Sequence, residues 1–555
     1  MIILTLVAAS TLIGVILSLI FGSLTAVTSV ISLVGGLAAS FYLNKGKKEK
    51  WFIEADFFFL LPFLILVFFQ FYYIFYAVNG WYKTANPNNL GDLPFHIQMI
   101  KSFASGYHFW PENLIYAGES LKYPFGMDFF NALLESIKVP TNIHLFLVGL
   151  VLSLVLISVL DRWMGLWGVL LVFASGGFTD LSELLQAYPW GPGTDTSWKN
   201  IILSVFITQR GFLFALPAGL FILKKFTAVH IKFLNRHEAA AFALIWGSLG
   251  IFHLHSFFII TVFISGSLVI RFLQTRKVEK EPICVFLISM IVAAPFLLHS
   301  AFSGTGAAGV VHWSSSWMQI QNGQILLAWI KNFGPWLVAL FWVGYFATKE
   351  KNFTAIYALV LFFLFSHLIL ARWDWDQIKI IIWLYILISF YFYELALKKL
   401  PAKWHMILVI FFFFSGLIQV FRVVLTPPGS VALQEKKSID IANVLLASVA
   451  PDDPILISPE YNHPALFLGK KVILGYPAHV WSHGIDSGVR EEAVRKIYNS
   501  EEGWQTEAQN LGIKYIYFSN VEKRKYNVTQ AEWLNDQNLV KKIEDAGLYD
   551  LRKNK

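Results

Sequence analysis

Asp92 and His96 are the residues of this chain whose types and spacing best fit acid–base chemistry. Pro94, which is favoured in a first helical turn, predicts a helix that starts there, with Asp92 just ahead of it. In that arrangement the two side chains share a face, and His96 can orient Asp92 or contact a substrate. A carboxylate held beside a hydroxyl can act as its general base. The alternative for Asp92 is a capping role, because Asp ahead of a helix commonly caps it.

Three cations in the sequences LKYPFG, TQRGF and RWDWDQIK are candidates for binding a phosphate group: Lys122, Arg210 and Lys379. Lys and Arg are the side chains that clamp phosphate, and a lipid-linked phosphate would lie at the depth where these sequences meet apolar segments. Snorkelling towards lipid headgroups is the alternative for each of them taken singly. The three together favour a phosphate site.

Other polar side chains near these sequences are candidates for substrate contact. Asp374 and Asp376 flank Trp375, where they can bind a metal, a sugar hydroxyl or, in the simplest interpretation, the neighbouring basic residues. His253 and His255 in FHLHSF are a weak pattern for a metal, and packing or loop hydrogen bonds explain them better. The identity of any metal stays unknown at this point.

A second group of candidates lies near the C-terminus, in the sequence GYPAHVWSHG: Tyr476, His479, Trp481 and His483. They follow the predicted strand KVILG, so they are presented on a loop. Aromatic faces stack on sugars and His bonds hydroxyls, so this loop can bind an acceptor or cover the site. The alternative is that Trp481 anchors its surroundings at a membrane interface.

The element that must position Asp92 is a polar stretch of residues 79–140, which we name the first loop. It is too long for an ordinary connection between helices. Besides the helix predicted from Pro94, a second amphipathic pattern covers residues 126–137 and contains Asp128, a further candidate for substrate binding. With apolar segments on both sides, the first loop is expected to lie along a membrane surface.

Composition places the chain among polytopic membrane proteins. Hydrophobic residues make up 56% of its 555 residues and charged residues only 14%, against about 25% charged in soluble proteins. The net charge of +8 comes from Lys and Arg clusters at the ends of apolar runs, which indicate membrane topology and not nucleic-acid binding. The single cysteine, Cys284, excludes a disulfide framework, and its apolar surroundings predict a buried thiol.

The apolar runs predict a polytopic α-helical membrane protein with about thirteen spans. By the positive-inside rule, the basic stretch KGKKEK places the N-terminus in the cytoplasm, and an odd number of spans places the C-terminus outside. The turn Asp161-Arg162 joins two of the spans, and residues 178–202 form a second outside loop. The predicted spans are residues 2–21, 24–43, 55–78, 143–160, 163–177, 203–223, 239–254, 256–272, 283–299, 324–347, 353–371, 378–397 and 405–424.

The composition changes abruptly at the sequence TPPG, residues 426–429. A transmembrane domain of residues 1–425 is therefore followed by a small soluble α/β domain of residues 430–555, outside the cytoplasm. Its patterns predict helices at 438–450 and 488–499, strands ILIS, KVILG and KYIYFS, and a closing strand pair in LVKKIED and GLYDLRK.

In layout, and in the sequences GDLPFH, LKYPFG, TQRGFLFALP and RWDWDQIK, the chain resembles the integral-membrane glycosyltransferases of the C type (GT-C). It is most similar to an uncharacterised bacterial branch with sequences like GYPAHVWSHG. The superfamily uses polyprenyl-phosphate-linked sugars, and Asp92 matches the loop carboxylate to which it gives the base role. This chain has a single Asp where better-studied members have an adjacent acidic pair, and it has two extra spans ahead of the first loop.

The resemblance implies an inverting transfer of a sugar from a lipid phosphate to a glycan, lipid or protein acceptor, at the outer face of the cell membrane. Asp92 would deprotonate the acceptor, and the three cations would hold the leaving phosphate. No cofactor is certain, a divalent metal stays open, and no nucleic-acid partner is expected. Two other classes stay open: a transporter or flippase of lipid-linked glycans, which needs the cations without a base, and a non-catalytic protein of cell-envelope assembly.

Overall fold

The computed structural model describes residues 1–45, 57–177, 197–302, 311–318, 320, 323–425, 430–528 and 531–554. Within these ranges, eight helices are long and apolar enough to cross a membrane, and two shorter apolar helices accompany them. The chain is therefore a helical protein with helices of membrane-spanning length, while the count of thirteen and the orientation stay predictions. The eight are Ile2–Phe21, Ala26–Leu43, Thr141–Phe173, Leu254–Thr275, Lys280–Ser300, Ile325–Lys349, Asp374–Lys399 and Lys403–Leu425, and the shorter two are Phe58–Tyr72 and Phe353–His367.

The first loop contains both predicted helices, Asn89–Ala104 and Gly126–Ser136. The predicted start at Pro94 is wrong, because the preceding asparagines begin the helix five residues earlier. The side-chain oxygen of Asn86 accepts the N–H of Asn88, and the side-chain amide of Asn89 donates to Thr84. Such bonds fix a turn before a helix.

Asp92 consequently lies inside the first turn of the helix Asn89–Ala104, which we name the site helix. Pro94 removes one hydrogen bond of that helix without ending it. The flanking Leu93 and Phe95 are buried, so their packing holds the turn together. Asp92 and His96 keep their spacing of one helical turn.

The two spans predicted at 143–160 and 163–177 form one helical run, Thr141–Phe173, that breaks at Gly165 (φ 62°, ψ −154°). The chain folds back there, as the close approach of Gly168 to Leu160 shows: a Cβ on Gly168 would lie 2.8 Å from the carbonyl oxygen of Leu160. Residues eight apart in a straight helix are about 12 Å apart along its axis. The turn predicted at Asp161-Arg162 is wrong, because both residues are helical. The reversal occurs at Gly165, since glycine tolerates a positive φ.

One predicted span is interrupted next to the first loop, and the turn predicted between the spans 239–254 and 256–272 is present there. The span predicted at 203–223 is divided into a π-helix, Ile202–Phe206, and the helix Arg210–Phe226, with Gln209 in extended backbone ahead of the latter. Similarly, Arg236–Phe252 and Leu254–Thr275 meet at His253, which is also extended. These breaks present Gln209 and His253 at the starts of helices.

Residues 430–555, which we name the C-terminal part, contain a four-stranded sheet. Numbered along the described chain after β3 (Val311–Trp313) and β4 (Leu368–Leu370), which pair with each other, and β5 (Val431–Glu435), its strands are β6 (Ile455–Leu456), β7 (Tyr515–Phe518), β8 (Leu539–Ile543) and β9 (Ala546–Asp550). Strand β6 pairs in parallel with β7, and β9 pairs antiparallel with both β7 and β8. The predicted helices and the closing strand pair are present. The main helices are Lys436–Leu445, Gly488–Tyr498 and Trp504–Asn510.

The predicted strand KVILG is only an isolated bridge between Val472 and Ile455. Its backbone bonds to Ile455 on one side and to the first loop on the other: the N–H of Val472 donates to Leu114, and the N–H of Gly475 donates to Ile115. The prediction therefore missed the partner, because a strand pattern does not say which segment its backbone will bond.

A second backbone connection joins the same two regions. β1 (Tyr76–Val78), at the end of the span predicted at 55–78, and β2 (Trp81–Thr84), in the first loop, form a hairpin. β5 (Val431–Glu435) adds to β2 as a third, antiparallel strand. The C-terminal part is therefore bonded to the first loop along its backbone, and not merely tethered above it. Whether residues 430–555 form a separate domain stays a prediction.

Cys284 is exposed, so the predicted buried thiol is wrong. Its helix packs through one face on the helix Arg236–Phe252 and leaves an outer apolar face that includes Leu287 and Ile291. Such a face suits contact with lipid. Three predicted features lie outside the described residues: 46–50 of the basic stretch, 178–196 of the second outside loop, and the sequence TPPG at 426–429.

The register of β2 on β5 predicts a disulfide. Lys83 is the Cα partner of Ala432, and antiparallel partners lie about 4.5–5.5 Å apart, within the range a disulfide spans. In a Cys284→Ser background, Lys83→Cys with Ala432→Cys should cross-link under mild oxidation, as read by a mobility shift after proteolysis between the two sites. Lys83→Cys with Val489→Cys is the control, since Val489 is exposed and outside β5. Two free thiols in the first variant would contradict the pairing.

Candidate active site

A cavity of about 690 Å³ lies between the first loop, the helix starts at Gln209 and His253, and the C-terminal part. It collects most of the predicted site residues from five separated stretches of the chain. The predicted residues that line it are Asp92, His96, Lys122, His253, His255, Asp376, Lys379, Tyr476, His479, Trp481 and His483. Arg210, Asp128 and Asp374 are not among the lining residues that the structure describes.

Asp92 presents its carboxylate to the cavity. The side-chain amide of Gln209 donates to Oδ2 at 2.9 Å, and His479 Nε2 lies 3.7 Å from Oδ1. The side chain is 35% exposed, so the carboxylate can still reach a substrate. The capping alternative is wrong, because Asn88 occupies the cap position and Asp92 lies within the helix.

His96 does not orient Asp92. Its Nδ1 lies 2.9 Å from Oδ2 of Asp128, and both side chains are 2% exposed. The helix Gly126–Ser136 packs against the site helix, and this contact brings Asp128 to His96. Sequence spacing pointed to a partner four residues away, whereas packing between helices supplied the partner that is present.

The cations divide into two groups. Lys122 and Lys379 line the cavity, and Lys379 Nζ lies 3.0 Å from Oδ1 of Asp376. Arg210 is the first residue of the helix Arg210–Phe226 and is buried, 1% exposed, outside the lining. The expectation that all three cations line one cavity is therefore met by two of them.

The remaining aspartate of the RWDWDQIK sequence points elsewhere. Asp374 pairs with His312 at 2.9 Å and is largely exposed. Together with the pair of Asp376 and Lys379, this favours the salt-bridge interpretation of the two carboxylates. The pair of His312 and Asp374 is partly exposed, so it contributes little to stability. In the other pair, the ammonium group of Lys379 keeps two further N–H groups for a ligand.

His253 caps a helix. Its Nδ1 accepts the backbone N–H of Ser256 at 3.2 Å, at the start of Leu254–Thr275. Loop hydrogen bonding, the better explanation of this His, is confirmed. His255 lines the cavity beside it, with ring centroids 5.7 Å apart. In the described part of the chain, no group of three or more His, Cys, Asp or Glu side chains could hold a metal ion.

The helix Pro477–Ser482 of the C-terminal part closes one side of the cavity, and we name residues 476–484 the lid. The ring of Phe95 contacts His479 and His483, with centroids 5.8 and 5.3 Å away, and Tyr123 contacts His483 at 5.0 Å. The lid therefore faces the first loop, as expected if it covers the site.

Trp481 is half-exposed at the edge of the lid, and Arg372 lies over its ring at 5.1 Å. Arg372 also donates to the carbonyl oxygen of Trp481 at 3.3 Å. A cation over an indole face is a favourable contact. Trp481 thus joins the lid to the RWDWDQIK sequence, and its anchoring role at a membrane interface stays an untested alternative.

Electrostatics keep the lid histidines neutral. Burial lowers the pKa of His483 to about 3, and the positive charge of Lys379 adds to the shift. Burial also lowers the pKa of His479, against the opposing charge of Asp92. Burial and the charge of Asp92 raise the pKa of the Tyr123 hydroxyl, so it stays protonated. The lid and Tyr123 therefore present neutral hydrogen-bonding groups to a cavity whose charges come from Asp92, Asp376 and the two lysines.

Gln209 and Gly211 are among the residues of the site that sequence reasoning missed. Gln209 orients Asp92, and its only sequence signal is its position next to Arg210 at the start of an apolar run. Gly211 lines the cavity, and a Cβ there would lie 2.1 Å from the carbonyl oxygen of Phe252. Only glycine allows the two helix ends to approach so closely.

No protein-family model and no curated protein matches this sequence. Among solved structures, the chain is similar to the crystal structure of the Archaeoglobus fulgidus oligosaccharyltransferase tethered with an acceptor peptide containing the NVT sequon via a disulfide bond. The two share 11% identity with a TM-score of 0.38, over 85% of this chain and 70% of that chain. A likeness at this level assigns neither activity nor substrate.

The depressed pKa of His483 predicts that the lid loosens in acid. The pKa of His483 is about 6.5 when the lid is detached from the first loop and about 3 when the lid is docked on it. Between these pH values the detached lid therefore binds more protons than the docked lid. Docking is therefore fully stable above this window and weakens as the pH falls through it. Hydrogen-exchange protection factors in residues 476–484 should fall by up to about tenfold per pH unit. In His483→Gln, the protection factors should depend less on pH. An equal slope of protection factor against pH in the variant and the wild-type protein would contradict the prediction.

Proposed function

We propose that this protein is a membrane glycosyltransferase that moves a sugar from a lipid-phosphate donor to a hydroxyl of an acceptor outside the cytoplasm. The observation that carries the proposal is a single cavity with an accessible carboxylate, Asp92, and two lysines, Lys122 and Lys379. A base and a charge clamp are the two protein groups that such a transfer needs.

In the proposed reaction, the acceptor hydroxyl attacks the sugar carbon that bears the phosphate. Asp92 takes the hydroxyl proton as the new carbon–oxygen bond forms, and the electrons of the breaking bond leave with the phosphate. Lys122 and Lys379 compensate the charge that develops on this leaving group. Gln209 holds one oxygen of Asp92, so that the other is directed to the acceptor.

The aromatic side chains around the cavity support binding of a sugar. Trp373 and Trp375 line it with ring centroids 5.2 Å apart, and the indole N–H of Trp375 donates to the carbonyl oxygen of Ser197. Tyr476 and Trp481 line it from the lid. Fixed aromatic faces bind the apolar faces of sugar rings.

The position of the cavity supports a lipid donor. Its wall includes His255 and Lys379, which belong to two helices of membrane-spanning length, Leu254–Thr275 and Asp374–Lys399. A phosphate on a lipid chain can therefore reach the lysines while the chain stays along the apolar helices. The polyprenyl nature of that chain, the acceptor class and the placement of the site outside the cell membrane are parts of this proposal.

Asp92→Asn tests the base. The amide keeps the shape and the contact with Gln209 but cannot accept a proton, so transfer should fall by at least about a hundredfold. The assay uses polyprenyl monophosphates bearing a radiolabelled hexose, with membranes as the source of acceptor. Asp440→Asn, at an exposed residue of the C-terminal part, is the matched control. Full transfer by a well-folded Asp92→Asn protein would remove Asp92 as the base. No transfer by the wild-type protein would remove the enzyme proposal and favour a transporter.

Lys122→Gln and Lys379→Gln test the phosphate clamp. Each lost charge-assisted contact is worth about 1.5–3 kcal/mol, so inhibition by a sugar-free polyprenyl phosphate should weaken by about ten- to a hundredfold in each variant. Lys437→Gln, which removes an exposed pair with Glu544, should leave inhibition unchanged. Unaltered inhibition in both cavity variants would place the phosphate elsewhere.

A further inference from the structure

Three buried polar side chains belong to this region: His96, which lines the cavity, and Asp128 and Arg210, which are outside its lining and lie on two helices that pack together. His96 and Asp128 are each 2% exposed and bonded at 2.9 Å. Arg210 is 1% exposed, and its Nε and both Nη atoms have no hydrogen-bond partner in the part of the chain that the structure describes. The acidic residue whose charge acts on Arg210 is Asp128.

A buried guanidinium is costly unless an opposite charge compensates it. Asp128 supplies that charge only as a carboxylate, which accepts hydrogen bonds and cannot donate one. The Nδ1 of His96 must then be the donor in its bond with Asp128. In a neutral imidazole with a proton on Nδ1, the other nitrogen, Nε2, has the free lone pair.

His96 lines the cavity, and among the described residues its second nitrogen, Nε2, has no hydrogen-bond partner. The rings of Phe95 and Tyr123 lie against the imidazole, with centroids 5.8 and 6.0 Å away, and restrict its rotation. With His96 in its neutral form, Nε2 is a hydrogen-bond acceptor in the wall of the cavity.

We propose that Asp128, with Arg210 behind it, fixes His96 as the Nδ1–H tautomer, so that Nε2 accepts a hydrogen bond from the hydroxyl of the acceptor. The identity of that hydroxyl rests on the proposed function, whereas the tautomer does not. His96 contacts the substrate, and Asp128 is a positioning residue. Arg210, the third predicted phosphate ligand, instead provides the counter-charge of Asp128, which agrees with its position outside the cavity lining.

Asp128→Asn should reverse the tautomer without changing the shape of the side chain. An amide has one acceptor and one donor side, and the positive charge of Arg210 attracts the amide oxygen. The amide NH₂ then faces His96 Nδ1, which must become an acceptor. The proton moves to Nε2, and the cavity meets a donor where it met an acceptor.

Labelling with diethylpyrocarbonate reads this change directly, because the reagent acylates the imidazole nitrogen that has a free lone pair. In the full-length protein in detergent, His96 should be labelled at the cavity nitrogen, and Asp128→Asn should slow this labelling at least about tenfold. The exposed His230 is the internal reference, and Asp374→Asn, an aspartate off the cavity, is the matched control. Loss of structure would speed the labelling of His96, which is the opposite direction.

The wild-type protein provides a measurement that does not depend on the folding of a variant. With ¹⁵N-labelled histidine, the signals of His96, identified by their loss in His96→Gln, should show a protonated Nδ1 and an unprotonated Nε2. The reverse assignment, or unchanged His96 labelling in Asp128→Asn, would overturn the inference. Neither readout uses substrate, so both are independent of the outcome for Asp92→Asn. In active protein, Asp128→Asn should also raise the KM for acceptor about tenfold more than the KM for donor.

Discussion

The candidate site depends on backbone hydrogen bonds between the first loop and the C-terminal part. Strand β5 extends the hairpin of the first loop, and residues 472 and 475 donate to residues 114 and 115. The side chain of Gln98, on the site helix, joins both regions by donating to the carbonyl oxygens of Leu114 and Lys470. Without these bonds the lid would have no fixed position over Asp92, and the cavity would be open on one side.

The close approach of the two regions also depends on Gly469. It adopts a left-handed conformation (φ 71°), and a Cβ there would lie 2.4 Å from the backbone nitrogen of Ser102. The turn at Gly469 therefore lies directly against the site helix. Backbone bonds of this kind are directional, so they set the orientation of the lid more narrowly than apolar packing alone would.

Much of this arrangement follows from local sequence. The helix Gly126–Ser136, the helices and closing strand pair of the C-terminal part, and eleven of the residues that line the cavity were predictable from periodicity, residue type and position. Local sequence does not show which distant residue each polar side chain or backbone group will bond to. Asn86 and Gly165 decide where a helix begins and where a chain reverses, and Asp128 becomes the partner of His96 only when two helices pack.

The two carboxylates of the first loop show why residue type alone does not assign a role. Asp92 is open to the cavity and bonded to the side-chain amide of Gln209. Asp128 is buried and bonded to His96, and its charge acts on the buried Arg210. The same side chain is therefore accessible to a ligand in one place and enclosed by protein in the other.

The connection between Gln98 and Lys470 joins residues 372 positions apart in the chain. During synthesis, the site helix leaves the ribosome long before the lid exists, and contacts of such large sequence separation form late. The cavity is thus completed late. A chain that stops before residue 476 would contain Asp92 and both lysines without the lid that covers them.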